Sequence, residues 1–144
     1  AWVSSNGVIG FGSAATSTYS NVCLPTTTGP SNALFVFWDD LATGVNGVCV
    51  GTLGVAPNRL QVITWSDVHN LVDSTSSLTF SAMLNETTNE IDVVYRTLTS
   101  GTGTGATGTS ATIGVQNQGG TAATQHSCNT ASLMSGATIH YTPM

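Results

Sequence analysis

The chain has no lysine, and Arg59 and Arg96 are its only basic residues apart from three histidines. Charged residues make up 6% of the 144 positions, against about a quarter in an ordinary globular domain. Nucleic-acid binding is thereby excluded as an expectation, because phosphate neutralisation needs several Lys or Arg on one face and the net charge is −5. Anionic membrane surfaces are excluded on the same ground. No apolar run approaches the roughly 20 residues a membrane-spanning helix requires, so no membrane insertion is expected. Any secretory leader is also missing; Ala1-Trp2-Val3 already reads as strand, so a mature or trimmed form is expected.

What remains is a hydrated but weakly charged surface of Thr, Ser, Asn and Gly around a chain that is 40% hydrophobic. That apolar content, arranged in short runs of β-branched and aromatic residues, argues against disorder. The length fits one domain over residues 1–144 with one sizeable core. Low charge with abundant hydroxyls points to an extracellular or cell-surface setting. The partners it suits are other copies of the chain and glycans.

The dominant pattern is alternation of period two in short runs, broken by Gly, Asn, Ser, Thr and Pro. Val8 to Phe11 follows a turn at Asn6-Gly7, and Ala33 to Trp38 is a near-continuous apolar run suited to a buried central strand. Val48 to Leu53, Leu60 to Trp65, Leu78 to Leu84, Ile91 to Arg96, Ile113 to Val115 and Ile139 to Tyr141 follow. Eight or nine strands predict an all-β fold, a two-sheet antiparallel sandwich, because one sheet alone would leave an apolar face wet. A short helical turn near Val68 to Val72 is the one helix allowed. Ser100 to Ser110 reads as a flexible Gly/Thr loop; it lacks the Lys and following helix of a phosphate-binding loop.

Three cysteines are an odd number, so in an oxidising compartment one pair closes and one thiol remains. Cys23 and Cys128 both sit in loop-like surroundings and form the preferred pair, while Cys49 lies in an apolar strand and is expected as a buried thiol. A bridge through Cys49 is the rival.

Asp39 and Asp40 end the Phe35 to Trp38 run. With Asn46, backbone carbonyls or Asp67 they form a calcium candidate, and calcium is the one cofactor the sequence raises. The competing expectation is that one Asp caps a turn and the other pairs with Arg59 or Arg96. Asp67, His69 and Asp73, with Ser66 or Ser74, contain the residue types of a Ser–His–Asp triad, yet no Gly-x-Ser-x-Gly elbow accompanies them. His69, His126 and His140 lack the spacing of a zinc motif; His126 near Cys128 makes a Cys–His pair only if that thiol is free. No catalytic residue is assigned, and the chain is expected not to be an enzyme. Asn85-Glu86-Thr87 is a glycosylation sequon in a hairpin loop. Trp38 and Trp65 lie in apolar runs and are expected in the core, leaving Trp2 as the candidate exposed aromatic for sugar stacking.

Several segments occur in a recognisable order: Ser4-Ser5-Asn6-Gly7-Val8-Ile9-Gly10-Phe11-Gly12, Phe37-Trp38-Asp39-Asp40-Leu41, Gly47-Val48-Cys49-Val50, Val62 to Val68, Leu78-Thr79-Phe80, Tyr95 and Ala111 to Val115. The series resembles the extracellular nidogen-like (NIDO) domain, and bacterial secreted and cell-surface domains more closely, including the segments around Cys23 and Cys128. It departs from the animal pattern after Tyr95 and around Cys23. The resemblance implies an extracellular β-rich module of adhesive, matrix and surface proteins, with no catalytic residues to carry over. The expected function is a non-catalytic structural or adhesion module, as a repeat unit or a filament subunit. The terminal strands are available for β-augmentation. A carbohydrate-binding module is the alternative, and a secreted hydrolase ranks below both.

Overall fold

The computed structural model describes residues 1–12 and 15–143. Eleven strands are present: β1 (Trp2–Ser4), β2 (Val8–Gly10), β3 (Ala33–Trp38), β4 (Leu41–Ala42), β5 (Val48–Leu53), β6 (Leu60–Asn70), β7 (Asp73–Asn85), β8 (Ile91–Thr99), β9 (Thr112–Gln116), β10 (Ala123–Cys128) and β11 (Thr138–Tyr141). One sheet runs β1-β2-β3-β9-β10; the other runs β11-β8-β7-β6-β4, with β5 beside β4 on the same edge of β6. All pairings are antiparallel. The two sheets pack as the expected sandwich, with eleven strands instead of eight or nine.

The core follows from the alternation. Ile9, Leu34, Val36, Phe37 and Ile113 of the first sheet meet Ile63, Trp65, Leu78, Phe80, Val93 and Tyr95 of the second. Phe80 is central, its ring 5.5 Å from Phe37 and 5.2 Å from Trp65 between centroids. Two buried polar tips find carbonyls: Trp65 Nε1–H donates to Ser4 O (3.0 Å) and Tyr95 O–H to Val36 O (2.6 Å).

The first sheet is covered on its outer face as well. Val8, Leu24, Ala33, Phe35 and Trp38 form a second buried cluster, to which Leu24 comes from the long connection between β2 and β3. All six residues of β3 are consequently buried. Val36 and Phe37 both face the main core because β3 is irregular between Phe35 and Trp38; the N–H groups of both donate to the single Gly7 carbonyl (2.9 and 3.1 Å). Gly7 has φ +74°, and a Cβ there would lie 2.0 Å from Phe37 O, so only glycine fits.

Three expectations about local structure are corrected. The helical turn near Val68 to Val72 is instead the end of β6 and an exposed two-residue turn, Leu71-Val72. Asp67, at φ +53°, sits where the β6–β7 register shifts between Trp65 and Val68; the shift turns Val68 and Asn70 inward and breaks the alternation that would have shown a strand. The loop-like surroundings expected for Cys128 are instead the end of β10, which lacks an apolar rhythm because it is an edge strand whose Thr124, Gln125 and His126 are exposed. Residues 100–110, read as flexible, contain a 3₁₀ turn (Gly105–Thr107) with Gly105 and Ala106 buried.

Candidate functional site

At one end of the sandwich a polar network joins β3, β6, β7 and the Gly/Thr loop. Asp39 Oδ2 accepts from Asn70 Nδ2 (2.7 Å) and Ser110 Oγ (2.6 Å), and its Oδ1 accepts from the Asp40 N–H (2.8 Å). Burial pushes the Asp39 carboxyl above its usual range; the donors from Ser110, Asp40 and Asn70 oppose the rise, while the Asp40 charge adds to it. Asn70 also accepts from the Val72 N–H through Oδ1, and its N–H donates to Ser76 Oγ, which closes the β6–β7 hairpin.

Beside it, the Gly/Thr loop wraps one carboxylate. Asp73 accepts N–H bonds from Gly101 (3.1 Å), Thr102 (3.2 Å) and Gly103 (3.0 Å), and a hydroxyl bond from Thr75 (2.9 Å). Desolvation alone raises its pKa, but the donors of Gly103, Thr75, Gly101 and Thr102 together outweigh it and hold the carboxyl below its ordinary value. A Cβ at Gly101 would lie 1.9 Å from Thr75 Oγ1, so glycine is needed for this approach. The loop therefore does cradle an anion, but the anion is the chain's own. Asn70, Ser76 and Ser110 carry no motif, and sequence reading passes over them.

The catalytic and metal candidates are not gathered. Asp67 accepts from Ser77 Oγ (2.8 Å), Asp73 is held in its cradle, and among the described residues no hydrogen bond links His69 to Asp67, Asp73, Ser66 or Ser74. No group of three or more His, Cys, Asp or Glu is placed to hold a metal ion among the described residues. Asn46 lies on the exposed connection before β5, and the carboxylate oxygens of Asp39 already accept internal donors. The expected pairing of an aspartate with Arg59 gives way to Arg59–Glu86. Arg59 Nε–H donates to Glu86 Oε2 (2.8 Å) and Nη2 to Oε1, and with the Arg59 N–H these bonds lower the Glu86 pKa to about 2.

Cys23 and Cys128 form the disulfide, with Cα atoms 5.4 Å apart. The bridge fixes the covering connection to β10, which also rules out a Cys128–His126 nucleophile. Amide clamps act in parallel: Gln125 Oε1 accepts from the Leu24 N–H (2.7 Å), and buried Gln116 accepts from the Thr26 N–H (3.0 Å) while donating to Pro30 O (2.6 Å). Trp2 is half-buried, not an exposed platform. Its ring lies across Gly10, its cross-strand partner, and packs on the second cluster, leaving Nε1 buried without an acceptor among the described residues. Trp38 and Trp65 are core residues. Asn85 stands at the end of β7, its Oδ1 accepting from the Thr87 and Thr88 N–H groups (3.0 and 3.1 Å), with the Nδ2 that a glycan would join left free of hydrogen bonds among the described residues.

Cys49 is exposed, which corrects the expected buried thiol. β5 runs along β6 but every residue from Cys49 to Leu53 is exposed, so neither face is covered. Val45, Val50, Leu53 and Val55 are exposed aliphatics on this one stretch, and Cys49, Val50, Gly51, Leu53, Val62 and Thr64 line a shallow, mostly apolar hollow of about 290 Å³.

No curated protein and no solved structure gives a significant match to the chain. A family model described as "NIDO related" matches residues 1–143, nearly the full length. That span contains both sheets, the disulfide and the polar network, and such a domain fits an extracellular module: the chain belongs to the NIDO-related family.

Proposed function

We propose that the chain is a non-catalytic extracellular structural or adhesion module that acts by contact with other copies of itself or with surface and matrix proteins. The observation that carries this reading is the stretch from residue 45 to 55. It leaves Val45, Val50, Leu53 and Val55 in water within one short stretch, four of the exposed large apolar side chains of a molecule that also exposes Leu71, Val72 and Met134, and exposed apolar surface gathered in one place marks a contact site. The internal use of Asp39, Asp73 and the Cys23–Cys128 pair supports the absence of catalysis, since these groups already serve the scaffold. Sedimentation velocity over a wide concentration range tests the self-contact form. Reversible growth of a dimer or larger species is expected, and a strict monomer at the highest concentration counts against it.

A glycan-binding reading has one observation in its favour. Thr16, Thr18, Thr28, Ser31, Asn32 and Gln118 line an open hollow of about 370 Å³ with the hydroxyls and amides that sugar recognition uses. Titration against a broad glycan panel, followed by chemical shifts of these residues, tests it; no shifts across the panel would remove it.

A further inference from the structure

We infer that the outer edge of β5 is a docking edge for a second copy of this chain, paired antiparallel about a two-fold axis at Cys49. The inference rests on the self-contact reading above and specifies its surface.

Five strands lie at the edges of the two sheets, and four are short or blunted. β4 has two residues. β1 has three residues. β10 carries a register break between Gln125 and Ser127 and is crossed by the disulfide-held connection. β11 has four residues, and His140 on it bonds Asp92 Oδ1 (2.7 Å) with Glu90 nearby, so charge sits at that edge. β5 has six residues, pairs with β6 without a register shift, and contains no proline. These are the features natural edge strands avoid when no partner is intended.

The β5–β6 ladder fixes which backbone groups face outward. The Ser66 N–H donates to Gly47 O (3.1 Å), so the opposed pairs Gly47/Ser66, Cys49/Thr64, Gly51/Val62 and Leu53/Leu60 are the hydrogen-bonded ones. Val48, Val50 and Thr52 therefore turn their N–H and C=O groups away from β6. An incoming antiparallel strand takes these as its bonded pairs, which makes Cys49 a non-bonded position on the outer side. With the axis at Cys49, Val48 bonds Val50 of the second copy and the reverse. The two Cys49 residues then face each other with Cα atoms about 4.5 Å apart, inside the roughly 4.4–6.8 Å range a disulfide spans.

Charge favours a second copy at this edge. No charged residue lies between Leu41 and Asn58, so two such strands meet without like charges opposed, although the molecules carry −5 each. The valines that meet, Val48 and Val50, are β-branched, and Val50 is 61% exposed until a partner covers it. The strip is about 20 Å long and one strand wide, well short of the roughly 1,200 Å² of a stable interface, so this pairing alone is weak and reversible.

The test traps it chemically with oxidised glutathione. One Cys49 thiolate displaces a glutathione thiol to form a mixed disulfide, and the facing Cys49 thiolate then displaces the second. Two protein thiols and one glutathione disulfide thus give one protein disulfide and two glutathione thiols. The expected result is a covalent dimer whose only intermolecular bridge is Cys49–Cys49, with Cys23–Cys128 intact. Val50→Pro removes an outward N–H without touching the β6 ladder and should lower the dimer yield at least tenfold at unchanged melting temperature. Val50→Lys, which keeps the backbone but opposes a cation near its symmetry mate, is expected to do the same. Dimer yields unaffected in both variants, or mixed glutathione disulfide accumulating without dimer, overturn the inference. Should wild type then still self-associate by sedimentation, the contact lies on another surface and the broader reading stands; a strict monomer removes both.

Discussion

Removal of the Cys23–Cys128 bridge gives the most quantitative check on how the outer face of the first sheet is held. The bridge closes a sequence separation of 105, and in the chain-entropy model a loop of that size restricts the unfolded chain by about 4.7 kcal/mol at 25 °C. In the folded state the covering connection has independent anchors. Gln125 and Gln116 receive the Leu24 and Thr26 N–H groups, Gln116 holds Pro30 O, and Leu24 is packed against Val8, Phe35 and Trp38. The double substitution Cys23→Ser with Cys128→Ser should therefore act mainly through the unfolded ensemble. Made in a Cys49→Ser background to prevent exchange, it is expected to cost roughly 3–4.5 kcal/mol in urea unfolding, since observed effects fall at or below the model value. The m-value should rise, because the freed unfolded chain exposes more surface. Folding should slow while unfolding stays nearly constant. A loss under about 1 kcal/mol, or one carried wholly by faster unfolding, would refute the reasoning; the second result would mean the bridge, and not the amide clamps, holds the connection in place.

Three other outcomes follow from the geometry. Gly7→Ala places a Cβ 2.0 Å from Phe37 O at φ +74° and should destabilise by roughly 3 kcal/mol or more, through left-handed strain and loss of the paired Val36 and Phe37 bonds; a drop under about 1 kcal/mol in the same urea assay would sink the bulge argument. The hydrogen bond that the His140 ring donates to Asp92, with the Asp92 and Glu90 charges, raises the His140 pKa above 6.5, so its contribution is full below the unfolded value and disappears as pH rises through the folded one; the stability gap between wild type and His140→Ala should be widest near pH 5 and close at alkaline pH, and a pH-independent gap contradicts this. Millimolar Ca²⁺ after chelator treatment should leave the melting temperature unchanged, because the Asp39 oxygens accept from Asp40, Asn70 and Ser110; a clear rise abolished by Asp40→Asn and Asn46→Ala would restore the calcium candidate.

The elements legible in the sequence are those with one wet face and one dry face. β7 and β8 alternate visibly because Leu78, Phe80, Ala82, Val93 and Tyr95 face the core while their neighbours face out. Legibility fails where a contact is made by polar atoms across long separations. Nothing local to Gln116 or Gln125 shows that each holds a segment some 90 to 100 positions earlier. The Gly/Thr tract has the composition of a flexible loop, and its order comes from a carboxylate about 30 positions upstream. Two shifts of register, the first at Asp67 and the second between Val68 and Asn70, made the end of β6 look helical.

Cys49 exposes a different kind of failure. Val48-Cys49-Val50 has the composition of a buried strand, and local pattern alone places it in the core. The structure leaves it in water, on an edge strand with no charge from Leu41 to Asn58. Burial patterns record that a residue is suited to an apolar environment, not which chain supplies that environment. Elsewhere in this molecule strands of such composition are covered by the opposite sheet or by the β2–β3 connection, as β3 is on both faces. Within the chain β5 has β6 as its only paired neighbour among the described residues, so its composition and its surroundings disagree. A second β5 at that edge would remove the disagreement: it would pair the outward groups of Val48, Val50 and Thr52 and cover Val50. On that proposal the exposure of Cys49 and the docking edge would share one physical cause, an apolar strand that a second copy of the chain would cover.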